Sequence, residues 1–152
     1  MSQSLFSENF LHQTYQRLQQ IKPDTPQRWG QMDAVHMFTH MNDAFKIALG
    51  MKSAVDRSSF FSRHVVFNVA VYVLPFWPKG NATPIEMNMD KGGSKPRDFY
   101  TELEFLKKMM DVFNEREEQK LKPHPMFGPL NKKQWRDLLV KHLNHHLKQF
   151  GV

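Results

Sequence analysis

Five of the eight histidines fall into two groups whose spacing suits a metal ion: His36 with His40, and His142 with His145 and His146. On a helix, a spacing of four stacks two side chains one turn apart on one face, where their ring nitrogens can share an ion. Spacing alone is weak, since a chain with this many histidines forms such pairs by chance. The chain has no cysteine, which excludes disulfide scaffolds, cysteine zinc fingers, iron–sulfur sites and a protein thiol nucleophile. Any soft nucleophile must then be a substrate thiol or a water activated by a metal.

The positioning elements read as helices. A first helix is capped by Ser7, carries Phe10, Leu11, Leu18 and Ile21, and stops at Pro23. A second runs from about Met32 to Leu49 and closes at Gly50, and a third from about Arg97 to Glu118 buries Phe99, Leu103, Leu106, Met110 and Phe113. The fourth starts at Asn131, with Gln134 as its capping-box partner, and closes at Gly151. Residues 53–74 mix aromatic and β-branched types, so periodicity leans to helix while leaving a strand open. Prolines and glycines crowd the next stretch, up to Pro96, as in a functional loop or a crossover. The pattern predicts a single all-α domain over residues 1–152, a four-helix bundle with a long crossover connection.

Helical phase sorts the histidines. At roughly 100° per residue, the polar positions of the last helix (Lys133, Asp137, Lys141, Asn144 and Lys148) place His146 at the centre of the buried face, with His142 about 40° away. His145 falls about 100° away, at the border. On the second helix Thr39, Asn42, Asp43 and Lys46 mark the polar side, so His40, about 70° from the buried centre, points inward better than His36 at about 110°. Inward imidazoles left without partners would cost roughly 1–3 kcal/mol each. Two readings satisfy them: bonds to carbonyls, carboxylates or buried water, or a three-histidine metal site between the second and fourth helices.

The remaining composition narrows the function class. The net charge is +6, and residues 107–148 hold ten Lys or Arg against five Asp or Glu, scattered along helix faces without the run that marks a nucleic-acid arm. The longest uncharged apolar run, 65–78, has 14 residues and contains two prolines, short of the roughly 20 a membrane span needs. With no leader-like start, the expected setting is the cytoplasm. Ten methionines read as adaptable core packing. Trp29 and Trp135 are expected to staple the bundle ends, and Phe76 and Trp77 to cover the core.

Several stretches also resemble a known family. They are Trp29-Gly30 leading to His40, Leu49-Gly50, and Leu74-Pro75-Phe76-Trp77-Pro78-Lys79-Gly80 with Thr83 and Glu86. Further along come His124-Pro125-Met126-Phe127-Gly128-Pro129-Leu130, Trp135, and the segment from His142 to Gly151. Together they resemble the DinB/YfiT-like superfamily of metal-binding four-helix bundles, and more closely one of its domain-of-unknown-function branches. The resemblance implies a divalent metal held by His40, His142 and His146, the three that helical phase also selects. Thiol S-transferase-like members often follow the final histidine pair with a basic residue, glycine and glutamine. Here Leu147 and Lys148 precede Gln149, a departure that weakens a thiol substrate but not the metal.

Three neutral ligands would leave the ion its full charge and an open position, as catalytic sites do. The expectation is a metal-dependent transferase or hydrolase of a small molecule using nickel, zinc or iron. The alternative is a non-catalytic small-ligand or metal-binding bundle. No general base is identifiable from the sequence: His36, His124 and Glu86 are candidates only by composition and motif membership, and each reads rather as a surface, loop or capping residue. The expected partner is a small-molecule substrate or ligand, with a homodimer allowed and neither nucleic acid nor membrane expected.

Overall fold

The computed structural model describes residues 6–80 and 83–152, and every regular element among them is helical, apart from an isolated antiparallel bridge between His124 and Gly128. Four α-helices run Glu8–Gln20 (α1), Ala34–Ala48 (α2), Phe99–Glu115 (α3) and Lys132–Gln149 (α4). Each starts where a short polar side chain satisfies free first-turn amides. Ser7 accepts from the Phe10 amide, Asp33 from His36 and Asp98 from Thr101, while Asn131 and Gln134 form the full reciprocal box. Two 3-10 turns, Ile85–Met87 and Glu118–Lys120, lie in the connections. No helix among the described residues is long and apolar enough to cross a membrane.

α2 is the axis of the core. It packs along α3 and more lightly on α4, and twelve of its fifteen residues are buried. The polar side expected for it is therefore not a solvent face: Thr39, Asn42 and Asp43 are all buried. Each has a partner that makes burial tolerable. Thr39 Oγ1 donates to the Val35 carbonyl, Asn42 Nδ2 donates to the Glu102 carboxylate at 2.7 Å, and Asp43 accepts from Lys52 Nζ at 2.9 Å and from Ser94 Oγ at 2.6 Å. These contacts carry α2 onto α3 and onto the chain before it.

The ambiguous stretch resolves as helix over 60–73 and as irregular chain before it. Most of that helix is wide. Ser62–Val66 and Val69–Val73 are π-helical, with the Phe67 amide donating to the Ser62 carbonyl and the Leu74 amide to Val69, five residues back. Such turns are rare and concentrate at functional sites. The segment lies on α4, with Phe67 and Val71 buried beneath it and Phe60, Phe61, Val65 and Val73 exposed on its outer face. Phe76, expected to cover the core, is instead 62% exposed, with Lys148 Nζ 3.7 Å above its ring.

Candidate metal centre

His40 from the middle of α2 meets His142 and His146 from α4. The His40 and His142 Nε2 atoms are 2.8 Å apart, those of His142 and His146 are 3.1 Å apart, and the three candidate ligand atoms all lie within 4.8 Å of one another. His40 and His146 are buried, and all three histidines line a cavity of about 700 Å3.

The outer nitrogens decide what the inner ones can do. His40 Nδ1 lies 2.9 Å from the Met87 carbonyl, which can only accept, so Nδ1 carries the proton and Nε2 a lone pair. His146 Nδ1 lies 2.8 Å from Gln149 Oε1, and the Gln149 amide is oriented by its Nε2, which donates to the Trp29 carbonyl at 2.9 Å. His146 Nδ1 is therefore a donor too, and its Nε2 is a second lone pair. His142 Nε2 stands between them. One proton on it satisfies one neighbour and leaves the other pair of nitrogens facing each other with nothing between. Protonating a ring is the usual escape, but burial pushes the pKa of His40 below its ordinary value and those of His142 and His146 well below, the neighbouring histidines adding to the effect. Three convergent ring nitrogens, two of them lone pairs fixed by outer bonds, are a donor set that could hold a metal ion.

The parts that hold this arrangement come from distant segments. Met87 ends the Ile85–Met87 turn, and the preceding Glu86 anchors that turn by accepting from Arg57 Nη2 at 2.8 Å and from the Val55 amide. The Arg57 bond holds the Glu86 carboxyl down at about 2. Trp29 presents its carbonyl because Gly30 turns with φ of 79°, and a Cβ there would sit 3.1 Å from Gln149 Nε2. The Arg28 amide donates to the Gln149 backbone carbonyl at 2.7 Å, closing the same corner.

The three candidate bases take other roles. Glu86 is the anchor just described, and His36 pairs with the Asp33 cap through Nδ1 at 2.7 Å; neither lines the cavity. His124 does line it, but its Nδ1 accepts from the Met126 and Phe127 amides, shaping the turn that Gly128 closes with φ of 66°. Burial pushes the His124 pKa down to about 4. His145, placed at the border by helical phase, is half-buried and reaches the cavity, its ring 5.7 Å from that of Trp29 and 5.8 Å from that of Trp77.

Trp77 packs against the core as expected and is a cavity wall as well. Its ring lies 5.3 Å from that of His142, and its Nε1 donates to the Ala70 carbonyl at 2.8 Å, which ties the wall to the π segment. Gln149, Met87 and the Trp29 carbonyl are the contributions that sequence reasoning missed. Two of those three act through the backbone, where residue type carries no signal.

No curated protein and no solved structure matches the chain significantly. Over residues 10–151 the chain matches the family described as a protein of unknown function (DUF1569), and it belongs to that family.

Proposed function

We propose that this chain is a metal-binding protein of the DinB-like type, a four-helix bundle with a crossover, in which His40, His142 and His146 hold one divalent ion. The observation that carries the proposal is the meeting of the His40 and His146 lone pairs at His142 Nε2, with both outer protons already committed. Imidazole donors suit nickel, zinc or iron. Bound there, the ion supplies Lewis acidity to the cavity, acidifying a water or a thiol near neutral pH. Met87, Gln149 and Trp29 keep the ligand rings oriented, and Trp77 and the π segment limit water above them. The activity that fits is a transfer or hydrolysis on a small molecule.

Metal analysis of untagged protein tests the site. About one equivalent per chain is expected in the wild type and under a tenth of that in His146→Ala. Negligible metal in both after incubation with zinc would overturn the proposal.

The non-catalytic alternative is favoured by one observation: Glu86 and His36, two of the three candidate bases, are engaged away from the cavity. Turnover of any member of a thiol, epoxide and ester panel by metal-loaded protein, lost in His146→Ala, decides for the enzyme. A metal-loaded protein inert to the whole panel decides for the binding module.

A further inference from the structure

The cavity above the histidines has a one-sided chemistry. One wall is apolar, built from side chains of the π segment, α2 and α4, among them Val66, Val69, Ala70, Ile47, Leu138 and Leu139, while Gln31, Thr83, Asn88, His124, His145 and Gln149 add uncharged or weakly basic polar groups elsewhere. Among the described residues no lysine or arginine lines it, and the one carboxylate that does is Asp90. At about 700 Å3 it has the size of an ordinary small-molecule site. A metal held by neutral imidazoles would be its one strong positive charge. A single anionic head can be satisfied on that ion, whereas a second anion further along the ligand would meet no lysine or arginine to pair with and one carboxylate, Asp90, to repel it.

We propose that the cavity takes a small monoanionic amphiphile, its head on the metal and its apolar body against the π segment and α4. The inference rests on the metal reading above and names its ligand class. All three tryptophans of the chain, Trp29, Trp77 and Trp135, line the cavity, so occupancy is readable by tryptophan fluorescence without any turnover.

Zinc-loaded full-length protein is titrated with butanoate, hexanoate, octanoate and octanedioate, and the series is repeated on chelator-stripped protein. Each pair of added methylenes is expected to tighten binding about tenfold. Octanedioate is expected to bind at least tenfold more weakly than octanoate. Stripping the metal is expected to weaken octanoate at least tenfold while leaving the chain-length ratio in place. Ala70→Phe, which narrows the cavity while keeping the carbonyl that Trp77 uses, is expected to lose octanoate at least tenfold with unchanged zinc content.

A flat chain-length series, octanedioate binding as tightly as octanoate, or octanoate binding equally with and without zinc each overturns the proposal. So does octanoate binding that Ala70→Phe leaves unaltered. Zinc that fails to load sinks the metal reading and this one together; zinc that loads while chain length makes no difference sinks the amphiphile alone.

Discussion

Gln149 bonds three ways at once: its Oε1 accepts from His146, its Nε2 donates to Trp29, and its backbone carbonyl accepts from Arg28. Gln149→Leu keeps the volume and removes the first two bonds, freeing the His146 ring to rotate or change tautomer. Loss of such an orienting partner is expected to weaken zinc roughly 10–100-fold, measured by competition with a chromophoric chelator. An unchanged affinity would mean that packing alone sets the ring. His124 gives a second test. In the unfolded chain it takes a proton near its ordinary value of 6.5, and in the folded chain only near 4, so acid favours unfolding. Stability is then intact above pH 6.5 and falls as the pH drops towards 4, by about 3 kcal/mol from this group. His124→Asn, whose Oδ1 can accept the same two amides, is expected to lose that much less than wild type between pH 7 and pH 4 in denaturant titrations. A parallel decline in both proteins would refute the assignment. At this scale the inward histidines were legible because helical phase is a local property. Gln149 was not, because its value lies in the Trp29 carbonyl, 120 residues away in sequence.

The helices themselves follow from caps and apolar spacing, and their starts at Ser7 and Asn131 are where sequence rules put them. α2 departs from the rule that polar residues face water. Asn42 and Asp43 could be assigned to solvent only if nothing waited for them inside, and the waiting groups, Glu102, Ser94 and Lys52, come from other segments, while Thr39 is satisfied within α2 by the Val35 carbonyl. Glu102 is nearly fully buried, and it accepts from Asn42 Nδ2 and, at 2.8 Å, from Arg97 Nε. The Asn42 Oδ1 atom already has no hydrogen-bond partner among the described residues, so the junction is one donor short before any substitution. Glu102→Leu is expected to cost about 2–3 kcal/mol in urea unfolding, more than an ordinary exposed charge would. A change under about 0.5 kcal/mol, typical of an exposed surface site, would show that the α2–α3 contact is apolar in energy as well as in area.

For the molecule as a whole, burial does not wait for the metal. The core runs from Phe6 through α2 and α3 to Phe150, and the three histidines occupy one edge of it. The stripped protein is therefore expected to stay helical by circular dichroism, unlike a zinc finger. Zinc at about a hundred times its dissociation constant is expected to add about 2.7 kcal/mol to unfolding, seen as a higher Tm that His146→Ala abolishes. The wide turns of the 60–73 helix bear on this same architecture. A π turn is an α-helical turn with one residue too many, so the segment behaves as a phase shifter between the histidine scaffold and the wall that faces it. Removing one residue from either wide run would return that turn to α and rotate the remainder of the helix, which leads to the Trp77 wall, by about 100°. If the cavity binds a ligand as proposed, single-codon insertions and deletions in this one helix would reshape its wall without replacing any of the three histidines.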